Sequence, residues 1–110
     1  MPLPMYRQGD VLLIKRDGVS LAEAQAVPRV RGRVILASGE ATGHAHAISS
    51  PLAELFEDRD DGLLYLRVSG LCDLTHEEHN PITLEEGVYE VRRQREYLPE
   101  DPSQARRVAD

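Results

Sequence analysis

The chain contains one cysteine, one phenylalanine and no tryptophan among its 110 residues. Because Cys72 is alone, no disulfide can form within the chain, and a single thiol is typical of a reducing compartment such as the cytoplasm. With Phe56 as the only phenylalanine, we expect the core to consist of Val, Leu and Ile side chains. The length is that of one small domain.

Long apolar runs and targeting signals are also missing. No stretch approaches the roughly 20 apolar residues that a membrane-spanning helix requires, and residues 1–5 lack the basic and apolar regions of a secretory signal. The net charge of −6 disfavours a general binder of nucleic acids. We therefore expect a cytoplasmic protein that does not enter membranes.

Short apolar runs between turn residues are the main structural signal in the chain. They predict strands, and the turns recur at a spacing of roughly 8–12 residues, as in small sandwiches and barrels. The strongest hairpin signal is Asp61-Gly62. We expect an all-β barrel or sandwich over residues 1–98 and a loose polar tail over 99–110. The predicted strands are 11–14, 31–37, 44–48, 52–56, 63–68, 71–74 and 88–97.

One segment favours a short helix. Ser20 and Glu23 have the spacing of a capping box and precede an alanine-rich stretch. This predicts one or two helical turns, which would end before Pro28. We expect no other helix beyond a single turn near the second histidine pair.

All four histidines occur in two short pairs, His44/His46 and His76/His79. Imidazole is the commonest protein ligand for borderline metals. On a strand, His44 and His46 would share one face with their Cα atoms roughly 7 Å apart, close enough to bind one ion. His76 and His79 would converge if the turn that begins at Thr75 is helical.

Together the histidines predict a site for a divalent ion, zinc or iron. Three ligands would leave a position open for water or a substrate, and four would form a closed structural site. Glu77 or Glu78 could then be a ligand, orient a ligand or act as a general base, which would make the protein a metal-dependent enzyme. The alternatives are histidines exposed on a strand, histidines in a buried polar layer, and a solvated charged loop.

Three further residues have weaker signals near these motifs. Asp10 and Asp73 could place carboxylates near the metal, although turn and capping roles are favoured for both. Cys72 lies in a predicted strand, where it is expected to be a buried, unreactive thiol, or a soft ligand if it faces the histidines.

The last predicted strand supports a different function. Tyr89, Arg93, Arg95 and Tyr97 would share one face, an arrangement that can stack bases and bind phosphates or contact a protein surface. The competing interpretation is a rim of salt bridges with tyrosines at the core edge, which the negative net charge favours. The second hypothesis is thus a non-catalytic module that binds RNA or a protein. A homo-oligomer is plausible for so small a chain.

Two segments of the chain resemble a known family, and three resemble a second group of proteins. Residues 39–46 and 76–91 resemble the cupin pattern, in which a glycine-led H-x-H motif is joined to a second motif containing another histidine. The resemblance implies a small barrel that binds Fe, Mn, Ni or Zn and, if catalytic, an oxygenase or isomerase in addition to the hydrolase that a metal site allows. Residues 42–46, 74–79 and 89–97 are also similar to small uncharacterised bacterial and phage-associated proteins, which implies no activity.

Overall fold

A computed structural model of the chain describes residues 5–38 and 44–93, which form strands and no helix. None of these residues therefore belongs to a helix long and apolar enough to cross a membrane. Every strand pairing among them is antiparallel. In chain order the strands are β1 (Met5–Gln8), β2 (Val11–Lys15), β3 (Ala24–Ala26), β4 (Val34–Ser38), β5 (Ala45–Ile48), β6 (Ala53–Asp58), β7 (Leu64–Val68), β8 (Cys72–Leu74), β9 (Ile82–Leu84) and β10 (Gly87–Arg93).

The strands form one large sheet and two small ladders. The large sheet has the order β1-β2-β10-β7-β6-β3, and its two end strands are not paired with each other, so the described residues do not form a closed barrel. The ladders are β4–β5 and β8–β9, and a pair of hydrogen bonds between Ala47 and Thr75 connects them. The predicted all-β fold is confirmed, in its sandwich-like form rather than as a cupin-like barrel.

One hydrophobic core takes side chains from the large sheet and from both ladders. It is mostly aliphatic, as expected from the composition, because branched side chains fit the pleated surface of a sheet. Tyr89 is the exception: its ring is fully buried, and its hydroxyl donates a hydrogen bond of 2.6 Å to the carbonyl oxygen of Glu85. The largest fully buried side chains are Tyr89, Leu13, Leu36, Ile48, Leu66, Leu74, Leu84, Val11 and Val68.

The helix predicted after Ser20 is wrong. The Ser20 hydroxyl accepts a hydrogen bond from the Ala22 amide, and the Leu21 carbonyl accepts one from the Ala24 amide, so the segment closes a turn. Residues from Ala24 onward then pair with the edge of β6 as strand β3. A segment this short cannot offset the cost of helix nucleation, whereas an open sheet edge offers its backbone hydrogen bonds at once.

Other strand predictions differ only at their ends. The predicted hairpin at Asp61-Gly62 connects β6 to β7, with Asp58 accepting amide hydrogen bonds and Gly62 at a φ of 71°. The strand predicted for 88–97 is observed as β10, and its continuation beyond 93 lies outside the described residues, as does the tail at 99–110. Strands β1 and β9 had no predicted counterpart.

Candidate metal centre

The two histidine segments meet because β5 and the chain that follows β8 lie side by side. The Ala47 and Thr75 amides each donate a hydrogen bond of 2.9 Å to the other residue's carbonyl, and the Thr75 hydroxyl donates one to the Ala47 carbonyl. His46 comes directly before Ala47 in the chain, and His76 comes directly after Thr75. Because antiparallel neighbours run in opposite directions, these offsets bring the two histidines to the same place.

All four imidazole rings lie in one group, which we name the histidine cluster (His44, His46, His76 and His79). His76 is at its centre, with ring centroids 4.3 Å from His46, 4.7 Å from His79 and 5.6 Å from His44. The fourth ring contact, between His46 and His79, is 5.8 Å and nearly parallel. The structure therefore brings together all four residues that the sequence predicted as metal ligands.

The segment that contains His76 and His79 is not the predicted helical turn. Residues 77–79 form successive bends, and the Glu78 amide donates a hydrogen bond of 3.0 Å to Nδ1 of His76. Thr75 bonds to β5 instead of capping a helix. The two histidines nevertheless converge, because the bent backbone and the bridge to β5 replace the helical geometry.

Glu77 and Glu78 both contact the other histidine segment. An oxygen of Glu77 accepts a hydrogen bond of 2.9 Å from the Ala45 amide, and Oε1 of Glu78 lies 3.0 Å from Nδ1 of His44. Hydrogen bonds from the Ala45 amide and from its own backbone lower the pKa of Glu77. Glu77 is therefore held as a carboxylate beside the cluster, and a lowered pKa makes it a weaker base.

Two histidines of the cluster and one glutamate have donor atoms close to one another. One nitrogen each of His44 and His76 and one carboxylate oxygen of Glu77 lie within 4.8 Å of one another. His44 and His76 are partly buried and Glu77 is exposed. These residues could hold a metal ion, because zinc accepts imidazole nitrogen and carboxylate oxygen atoms as ligands.

His46 is the most deeply buried member of the cluster. Its Nδ1 lies 2.8 Å from Oε1 of Gln8, and its Nε2 lies 3.3 Å from Oδ1 of Asp10. Burial lowers its pKa first of all and the neighbouring His76 lowers it further, while Asp10 acts in the opposite direction. At neutral pH the ring is therefore predominantly uncharged, the state in which imidazole binds metals.

Gln8 and Gly9 are site residues that no sequence pattern revealed. Gln8 is buried and donates hydrogen bonds to the carbonyls of Leu74 and Asn80, at 3.0 and 2.9 Å. Gly9 has a φ of +59°, and a Cβ atom there would lie 2.8 Å from Nε2 of His79. Neither residue belongs to a distinctive motif, and only their contacts in the folded chain show that they lie beside the histidine cluster.

The remaining candidate residues lie elsewhere. Cys72 belongs to the hydrophobic core, where burial raises the pKa of its thiol, and Asp73 accepts a hydrogen bond from Thr83. Tyr89 is fully buried, so its ring has no face open to a base. Arg93 donates a hydrogen bond from Nε to the Leu36 carbonyl. Arg95 and Tyr97 lie outside the described residues.

Comparison with known proteins identifies a family but no activity. Neither the curated proteins nor the solved structures contain a match to the chain, and no comparison gives evidence for a cupin. One family model matches residues 7–94, a span that includes all four histidines, Gln8, Glu77 and Glu78. The chain therefore belongs to the family described as Domain of unknown function (DUF8820).

Proposed function

We propose that this protein binds a divalent metal ion, zinc or iron, through the histidine cluster. The observation that carries the proposal is the convergence of all four imidazoles of the chain in one group, with neighbouring ring centroids 4.3 to 5.8 Å apart. Imidazole suits both metals. The free thiol of Cys72 fits a cytoplasmic location, which we propose with it.

The contacts around two of the rings support this proposal. Nδ1 of His44 faces the Glu78 carboxylate and Nδ1 of His46 faces Gln8, so a hydrogen on each Nδ1 leaves each Nε2 with its lone pair. Metal-bound histidines commonly hold their second nitrogen against a carboxylate or carbonyl oxygen in this way. Under this proposal Glu78 orients a ligand instead of acting as a base.

His76 decides whether the site is open or closed. Its Nδ1 accepts the Glu78 amide hydrogen, so a neutral ring carries its own hydrogen on Nε2. His76 would bind the ion only by giving up that hydrogen bond. Without it, the other three histidines would leave a fourth position open, as in catalytic zinc sites. Hydrolase, oxygenase or isomerase chemistry and a small-molecule substrate remain predictions.

Elemental analysis of untagged protein, purified without chelators, tests the proposal. The variants are His44→Ala, which removes a partly buried ligand, and Glu54→Ala as a control on β6, where Glu54 pairs with Arg67 at the surface. We expect near-stoichiometric metal in the wild type and the control, and its loss in His44→Ala. Wild-type protein that contains no metal and takes up neither zinc nor iron on reconstitution would refute the proposal.

The second hypothesis, binding of RNA or a protein through the last strand, now depends on fewer residues. Tyr89 is buried, and of the other three only Arg93 lies among the described residues. Arg93 lines a cleft of about 320 Å³ together with Val91, Leu63 and Glu57. Double substitution of Arg93 and Arg95 with alanine would weaken such binding and reduce its salt dependence, and would leave metal content unchanged.

A further inference from the structure

The contacts of Gln8 fix the hydrogen on the most buried histidine. Its side-chain nitrogen donates to the carbonyls of Leu74 and Asn80, and carbonyl oxygens only accept. The amide oxygen of Gln8 must therefore be the atom that faces Nδ1 of His46 at 2.8 Å. Because that oxygen also only accepts, Nδ1 of His46 carries a hydrogen, and its Nε2 is the nitrogen left for another partner.

That partner is the carboxylate of Asp10, and either a proton or a metal ion between the two atoms would hold them together. Nε2 of His46 and Oδ1 of Asp10 are 3.3 Å apart. In the neutral Nδ1–H form of the ring a metal ion would lie between the two lone pairs, whereas in the doubly protonated ring the second hydrogen would lie there. Two ligand atoms about 2.0–2.1 Å from a tetrahedral zinc ion lie roughly 3.3–3.4 Å apart. The observed separation therefore fits two ligands of one ion.

We infer that Asp10 is an oxygen ligand of the metal and that Gln8 is the positioning residue that presents Nε2 of His46 to the same ion. The inference rests on the proposed function and adds a carboxylate to its ligand set. The Asp10 side chain is 41% exposed and His46 is buried, so the ion would lie at the mouth of the site. The rings of His76 and His79 lie beside that of His46, with centroids 4.3 and 5.8 Å from its centroid. A mixed imidazole–carboxylate set is one that both zinc and iron accept.

The experiment is a titration of metal-free protein with Co²⁺ and Zn²⁺, in which the Co²⁺ visible spectrum reports the ligand set. Asp10→Asn removes the charge at the site, and Asp17→Asn makes the same change in the exposed turn beyond the far end of β2. The five residues of strand β2 lie between the two positions. We expect Asp10→Asn to weaken Co²⁺ binding at least tenfold and to alter the spectrum, and Asp17→Asn to leave both unchanged.

The role of Gln8 has its own measurement, because a substitution at so buried a position risks unfolding the protein. Long-range ¹H–¹⁵N correlation of the wild-type histidine rings reports which nitrogen carries the hydrogen. We expect the Nδ1–H form of His46 both with and without Zn²⁺. A hydrogen on Nε2 in the zinc complex would overturn this part of the inference.

The outcomes separate the two proposals. Wild-type protein that binds neither Co²⁺ nor Zn²⁺ would refute the metal site and the role of Asp10 together. Wild-type protein that binds metal, with Asp10→Asn binding as tightly as Asp17→Asn, would refute only the role of Asp10 and leave the histidine cluster as the site. In that case the contact between Asp10 and His46 would be an ion pair.

Discussion

Gly9 offers a direct test of the histidine cluster, because its missing side chain leaves room for two rings. A Cβ atom at Gly9 would lie 2.8 Å from Nε2 of His79 and 3.2 Å from Cε1 of His46. The residue also has a φ of +59°. Gly18 is a matched control, because its φ is +75° and a Cβ atom there would meet nothing within 4 Å.

Both alanine substitutions therefore share a backbone penalty, and only one disturbs the cluster. An L-residue in the left-handed region costs about 1–2 kcal/mol, which we expect for Gly18→Ala and for Gly9→Ala alike. The additional steric cost at Gly9 is small for stability, because the exposed His79 ring can rotate away. If His79 is a ligand, as proposed, the same rotation moves it away from the ion, so metal affinity should fall at least about tenfold, the scale of perturbing a metal's surroundings.

Urea denaturation of the metal-free proteins gives the stability of each variant, and Zn²⁺ titration gives the affinity. Histidine ring resonances in NMR spectra add a measurement that needs no metal, since moving His79 changes the environment of His46. We expect similar losses of stability and a loss of affinity confined to Gly9→Ala. Equal zinc affinities and unshifted ring resonances in the two variants would refute the close approach of Gly9 to the cluster.

Three further predictions concern the core and one buried charge. Burial alone would raise the pKa of Glu90, but hydrogen bonds from Arg92 and Arg16 lower it overall. The ionised Glu90 therefore stabilises the fold fully above the ordinary pKa of 4.5, and this stabilisation is lost as pH falls through the lowered pKa. Glu90→Gln should cost about 1–3 kcal/mol at neutral pH and flatten the fall of melting temperature below pH 4.5; an unchanged acid limb would contradict this. Tyr89→Phe removes the hydroxyl that bonds to Glu85 and should cost about 0.5–1.5 kcal/mol by urea denaturation, and no loss would argue against that bond. Leu74→Ala should cost about 2–5 kcal/mol because Leu74 is fully buried, whereas Leu71→Ala, at a side chain 71% exposed, should stay within about 0.5 kcal/mol; similar values would contradict the burial pattern.

The strands were predictable where a local pattern determines them. The hairpin at Asp61-Gly62 is an example, since a turn signal and two flanking apolar runs lie within a few residues. Strand β3 was not predictable, because its conformation depends on the edge of β6, which lies about thirty residues further along the chain. Local preference gave a helix there, and sheet pairing overrides it.

The same distinction applies to the candidate site. The spacing identified two histidine pairs, H-x-H and H-x-x-H, and their convergence in one site was a hypothesis that only tertiary contacts could address. Gln8 was invisible, since a single glutamine at the end of a short strand has no characteristic pattern. Its partners Leu74 and Asn80 are 66 and 72 positions away. Residues that contact the histidine rings from distant positions are brought there by tertiary contacts, and a single sequence does not show these contacts as a motif.

Under the proposed function, the hydrogen bonds around His46 would hold this part of the site in place before an ion binds. Gln8 joins the end of β1 to the Leu74 and Asn80 carbonyls and to His46 itself. Among the residues that the structure describes, no buried side-chain nitrogen or oxygen atom lacks a hydrogen-bond partner. The described residues thus satisfy their buried side-chain polar atoms with hydrogen bonds of their own, whereas zinc fingers fold only with their ion. Ligands that are held in place in advance lose less conformational entropy on binding. Because little of the binding free energy at His46 and Asp10 would be needed to order the chain, the affinity for the ion would be higher.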